Sequence, residues 1–134
     1  MALSPGWEIS HVFDVGDDGA KDEHWITRFA KSGGHAILSA DTDFIKTPPQ
    51  VVAVFKTGVK VIHLPAKWAN ASGALQASHV LLWWARIERK LTEMKPRECW
   101  RPPWNLHETG DLMKVDVDFQ EAHKKLKQAA RRTA

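Results

Sequence analysis

The sequence predicts an α/β fold with a small, mostly parallel sheet flanked by helices, and three observations predict it. First, two short apolar runs, His35–Ala40 and Val59–Leu64, lie 24 residues apart with a helix signal between them. A strand, a crossover helix and a second strand of that length form a βαβ unit, expected right-handed. Second, both runs are apolar almost without interruption, as strands of a sheet covered on both faces are. Third, the helix signals at 22–31 and 75–94 carry apolar stripes at helical spacing, while Val51, Val52, Val54 and Phe55 make the one between the strands apolar on more than one side, as a well-buried helix is.

The central stretch is DEHWITRFAKSGGHAILSADTDF, residues 22–44. Asp22 and Glu23 precede the stripe Trp25, Ile26, Phe29, Ala30, which spaces as one face of a helix. Gly33 and Gly34 end it, because glycine takes the left-handed turn at little cost. His35–Ala40 follows as a buried strand. Asp41 and Asp43 then fall at its carboxyl end, where open α/β sheets place their sites. Asp22 lies three and four residues before Trp25 and Ile26, so its carboxylate is expected on the face turned to the sheet. Four carboxylates, Asp22, Glu23, Asp41 and Asp43, are thereby expected on one rim. Such a rim suits hard cations such as Mg²⁺ or Mn²⁺, which take oxygen ligands and substrate phosphate together. The same residues also suit a capped helix start and ordinary turns.

Before this stretch, Glu8–Val15 alternates, with Ile9, His11 and Phe13 on one side and Val12 on the other, as a strand does. His11 there reads as a core histidine. Asp17 and Asp18, in a Gly-flanked loop, read as turn residues and as possible neighbours of the rim. After it, Thr47-Pro48-Pro49 is a helix start and Gly58 a helix stop, with Val51, Val52, Val54 and Phe55 between. Pro65 closes the strand 59–64. A long helix is expected over 75–94, its seam formed by Val80, Trp84, Ile87, Leu91 and Met94. Trp83 falls off that seam and suggests a second contact face. Arg86, Glu88, Arg89 and Lys90 read as its solvated side. Residues 97–104, RECWRPPW, mix Arg and Trp as unpaired-base binders do, but their prolines read more simply as an edge strand. Arg97 and Arg101 are the candidate RNA contacts of this segment. Leu106–Glu108 and Leu112–Val117 read as the arms of a hairpin. From about residue 119 the chain is a helical, basic tail with Lys124, Lys125, Lys127, Arg131 and Arg132.

Composition narrows the function. The 134 residues make one domain, 1–134, with 43% apolar and 26% charged residues. The formal net charge is +3, and the sequence pI is about 9.1, compatible with nucleic acid. A single cysteine, Cys99, rules out an internal disulfide framework and fits a reducing cytoplasm. No run approaches the roughly 20 apolar residues of a membrane span, and no leader is visible. Glycine-rich nucleotide loops, the nucleophile elbow of serine hydrolases and zinc-ligand spacings are absent from the sequence.

The pieces DEHWI at 22–26, HAILSADTDF at 35–44 and RPPWNLHETGDL at 101–112, in that order, resemble the PIN-like nuclease superfamily. The branch most resembled is that of the VapC45-type PIN-like domains, which resemble the ribonuclease toxins of toxin–antitoxin pairs. The similarity spans about residues 6–115. It implies a PIN-like three-layer fold with a C-terminal hairpin and helix, and a Mg²⁺- or Mn²⁺-dependent ribonuclease. Asp22, Asp41 and Asp43 are then the catalytic and metal-ligating acids, with RNA as substrate and an antitoxin and a second copy of the chain as partners. One departure is plain: Met1 lies a few residues before the segment Gly6–Val15, so the family's opening central strand, its acid and its helix are expected to be missing. A catalytically incomplete PIN-like module used in protein association or dimerisation is the alternative. A receiver-like phospho-acceptor is a weaker third reading, because its required lysine has only Lys67 as a candidate.

Overall fold

The computed structural model describes residues 22–39, 47–65, 73–103 and 110–133, with residues 22, 23, 73–76 and 133 as backbone. The described residues form four helices and four strands. They are α1 (Asp22–Lys31), β1 (Ala36–Ser39), α2 (Pro48–Thr57), β2 (Lys60–His63), α3 (Gly73–Glu93), β3 (Cys99–Arg101), β4 (Met113–Val115) and α4 (Phe119–Thr133). The sheet order is β1-β2-β3-β4. β1, β2 and β3 are parallel, and β4 runs against β3. This is the expected α/β architecture, mostly parallel and covered on both faces. The expected strand 8–15, with His11, Asp17 and Asp18, lies outside the described residues.

Alternation along the strands divides the core in two. Ile37, Val61 and Cys99 face α1 and α2, where they meet Ile26, Ala53 and Val54. Ile62, Leu64 and Leu112 face α3 and meet Trp83, Trp84, Ile87, Leu91 and Met94. The seam expected on the long helix is therefore its packed face. Trp83, expected off that seam on a second face, is fully buried in the same cluster. An indole covers a wider arc of the helix than the stripe allots to it, and the Arg86 guanidinium closes over its ring at 3.9 Å. Among the described residues, the large apolar side chains left exposed on α3 are its neighbours Leu81 and Leu82.

α2 starts and stops where the sequence placed it. Thr47 is extended (φ −79°, ψ 118°), proline fills the first turn, and Gly58 takes the left-handed conformation (φ 76°) while its amide bonds Val54 O. β1 is shorter and less covered than expected, with Ile37 its one buried residue. Among the described residues it pairs with β2 alone. One expectation for the C-terminal third is corrected. The segment around Trp100 is not an edge strand, because β3 lies between β2 and β4. Its prolines, 102 and 103, stand just after the strand, where no ladder hydrogen bond is needed. β4 pairs with Cys99–Arg101; the expected hairpin arm 106–108 lies outside the described residues. The basic tail is a docked helix: Ala122 is buried with Val51 and Val52 of α2, and Phe119 and Leu126 pack beside them.

Lys90 also departs from its expected solvated position. It is 8% exposed. Its ammonium sits 4.1 Å from the centre of the Trp100 ring, 3.4 Å from Asp111 and 3.5 Å from Glu93. A buried ammonium is tolerated only when such partners replace water. Burial alone would raise the Asp111 carboxyl. The Leu112 amide and the Lys90 and Arg89 charges together hold it below the usual aspartate range instead.

Candidate active site at the carboxyl end of the sheet

The local turns decide which side chains meet. After α1, the chain reverses within Ser32–His35, with Gly33 left-handed (φ 94°) and the Gly34 amide bonded to Phe29 O at 2.9 Å. A β-carbon on Gly34 would run into the Phe29 ring, so any other residue there would have to displace that ring. So short a reversal sets α1 antiparallel to β1. Asp22, the first residue of α1, therefore stands at the end of the sheet where β1 finishes. The crossover sets α2 likewise, so that Thr47 and Pro48 open α2 at that same end.

The three parallel strands finish there in Ser39, His63 and Arg101. Each lies two residues beyond a residue of the α1/α2 core face: Ile37, Val61 and Cys99. By the period-2 rule all three side chains lie on that face. The register pairs Ser39 with His63, and the pairs Val61–Cys99 and Ile62–Trp100 carry Arg101 to the position beside His63. Neighbouring strands lie about 4.8 Å apart, so the trio spans roughly 10 Å. All three are half-buried. The amino termini of α1 and α2 border this row; the amides opening α1 favour an anion, whereas α2 opens with Pro48 and Pro49, which carry no N–H. The arrangement is suited to phosphate.

The opposite end of the sheet is built differently. Arg97 holds a left-handed backbone (φ 72°), and its Nε donates to Phe55 O at 2.6 Å. Its guanidinium lies 4.2 Å from the Phe55 ring centre. Lys60 Nζ donates to Leu91 O at 2.7 Å and satisfies a carbonyl at the end of α3. Glu98 accepts from the Lys95 amide at 2.8 Å and from Trp100 Nε1 at 3.3 Å, and pairs with Lys114 at 3.2 Å. The Lys95 amide, with the Lys114 and Trp100 donors, holds its carboxyl below the usual glutamate range against the opposing effect of burial. A groove of about 230 Å³ runs beside these residues, lined by Arg97, Glu98, Lys114 and Asp116. Its four charges cancel, which suits no particular ligand charge.

The residues expected from sequence are thus divided. Arg101 stands in the strand-end row. Arg97 stands at the far end of the sheet and clasps α2. Asp22 is placed by its backbone at the carboxyl end, while its carboxylate and that of Glu23 are outside the described atoms. Asp41 and Asp43 lie outside the described residues, following β1 from the carboxyl end. Among the described residues no three His, Cys, Asp or Glu side chains cluster as a metal site. The donor set Asp22, Asp41, Asp43 offers the oxygen ligands that Mg²⁺ and Mn²⁺ take. Ser39 and His63 were missed as site residues. The signal was present: each apolar strand closes on a polar residue of the same parity as its buried ones. Cys99 is 2% exposed, and burial pushes its thiol up to about 12, so it is an inert core group.

Comparison with known proteins agrees with the first half of this picture. The profile of a family described as PIN like domain matches residues 1–66. The match spans the predicted strand 8–15, α1, β1, α2 and β2, and so includes Asp22, Asp41 and Asp43. It supports the PIN-like superfamily, whose members are in general nucleases that depend on divalent metal. No curated protein and no solved structure matches the chain. No helix among the described residues is long and apolar enough to cross a membrane.

Proposed function

We propose that the chain is a Mg²⁺- or Mn²⁺-dependent endoribonuclease of PIN-like type, acting in the cytoplasm as the toxin of a toxin–antitoxin pair. One observation carries this reading: the amino terminus of α1, with Asp22, shares the carboxyl end of the sheet with Ser39, His63 and Arg101. Asp41 and Asp43 follow β1 from the same end. Asp22, Asp41 and Asp43 hold the cation. The bound ion supplies charge neutralisation and lowers the pKa of a water molecule. The chain's own groups do the rest. Arg101 and His63 pair with the non-bridging phosphate oxygens, the amides opening α1 add donors, and the carboxylates orient the attacking water. Water adds to phosphorus, the bond to the 3′-oxygen breaks, and a 3′-hydroxyl and a 5′-phosphate result.

The test is calorimetric titration of Mn²⁺ into the wild type and Asp41→Asn, with cleavage of structured and single-stranded RNA measured beside it. Saturable binding that the variant loses, with at least about a 100-fold fall in cleavage, is expected. A wild type that binds no Mn²⁺ would overturn the reading. The second reading, a PIN-like scaffold for association with a partner or with itself, is favoured by Leu81 and Leu82, 56% and 60% exposed on α3. For that reading, light scattering must show a dimer that Leu81→Glu/Leu82→Glu dissolves.

A further inference from the structure

We propose that the outer face of α4 binds the phosphate backbone of RNA and leads it to the carboxyl end of the sheet. The charge of the chain is not spread evenly. α4 holds Lys124, Lys125, Lys127, Arg131 and Arg132 against one acid, Glu121, a net charge of +4. The whole chain carries +3, so everything outside α4 is close to neutral. All five cations are exposed.

The helix arranges them in two rows. Phe119, Ala122 and Leu126 turn inward onto Val51 and Val52. At 100° per residue, Lys124, Lys127 and Arg131 form one outer row with no acid in it. Lys125 and Arg132 form the other, which contains Glu121 at 4.0 Å from Lys125. Apart from alanines, the outer face carries no apolar or aromatic residue. A protein partner needs such residues to fill its pockets. A phosphate backbone needs only the charge. The composition of the face therefore favours nucleic acid over an acidic protein.

The direction of the helix supplies the second half of the inference. At its start, Phe119 and His123 pack on Phe55, near the end of α2, with ring centres 5.3 and 5.1 Å apart. β4 ends at Val115, opposite the first residue of β3, so α4 starts at the amino end of the sheet, and Leu126, farther along, packs beside Val51 and Val52 in the first half of α2. α4 therefore runs antiparallel to α2. It has 15 residues to the 10 of α2, so its last turn, with Arg131 and Arg132, reaches the level where α2 begins. That is the end of the sheet that holds Ser39, His63 and Arg101. The acid-free row forms a rail of positive charge ending beside the candidate site. The choice of RNA over DNA rests on the nuclease reading; the binding of a phosphate backbone does not.

The experiment is fluorescence anisotropy of a labelled 20-nucleotide oligouridine in EDTA, where no metal-dependent cleavage occurs, at several salt concentrations. The wild type is compared with K124Q/K127Q/R131Q and, as a control of equal fold, with K125Q. Circular dichroism and thermal melting verify that both variants are folded. For a single strand each phosphate contact contributes about 0.7 to the slope of log K against log salt, so the triple variant should lose about 2 from that slope. Its affinity at low salt should fall at least about tenfold, with K125Q near wild type. Equal binding by the wild type and the triple variant would overturn the proposal, as would no wild-type binding at 50 mM salt. Displacement by polyglutamate as effective as by unlabelled RNA would overturn it in favour of an acidic protein. Stronger binding of oligothymidine than of oligouridine would overturn the choice of RNA. Loss of cleavage by Asp41→Asn with binding intact leaves this inference standing, so the two readings fail separately.

Discussion

The two ends of one sheet show two uses of the same residue types. At the amino end, Lys60, Arg97 and Glu98 complete the fold: each meets a backbone group or an opposite charge at 2.6–3.2 Å. At the carboxyl end, Ser39, His63 and Arg101 stand in a row bordered by two helix amino termini. Two arginines four residues apart therefore have different expected roles. Residue type gave the same reading for both, and position in the sheet separates them.

The largest expected effect tests the frame that holds both ends. Trp83→Ala opens a cavity in the α3 core and should cost about 3–5 kcal/mol, read from the midpoint of urea unfolding. Next comes the arginine pair. Arg97→Ala should destabilise by about 1–2 kcal/mol through loss of the bond to Phe55 O and the stack on its ring. Arg101→Ala should leave stability nearly unchanged and lower RNA affinity. The comparison breaks if both variants behave alike. Arg97→Gly should be less damaging than Arg97→Ala by about 1 kcal/mol, because glycine adopts the φ of 72° without strain.

A smaller effect is set by pH. The folded Glu98 carboxyl titrates below its unfolded value, so its contribution is present above the usual glutamate range and lost as pH falls through the folded value. Glu98→Gln should therefore flatten the acid limb of the stability curve measured by thermal melting. The smallest concerns Cys99. With its thiol at about 12, the native protein should resist iodoacetamide at pH 8 and react only after unfolding.

Much of the fold was legible where local punctuation and packing agree. Thr47-Pro48 and Gly58 bracket α2, and Gly33-Gly34 mark the reversal into β1, because those residues act through their own backbones. The unread parts depend on distant partners. Lys90 looks solvated until Trp100 and Asp111 are brought beside it. β3 looks like an edge while its prolines are counted within the strand. Of the candidate site, the sequence pointed to the acids and to Arg101. Ser39 and His63 left only the parity of a polar residue with the buried ones as a signal, and their adjacency exists only through the β1–β2 register.

The concentration of charge on α4 has a consequence for solubility. With α4 near +4 and the remainder near neutral, that helix alone keeps the chain away from its isoelectric point at physiological pH. Replacing Lys124, Lys127 and Arg131 with glutamine would bring the formal charge of the chain from +3 to zero. Mutual repulsion between molecules would then disappear. The row that we assign to RNA is thus also the chain's colloidal stabiliser, and a bound polyanion would cancel it. Protein and RNA mixed near charge balance should turn cloudy at low salt and clear again when salt is added.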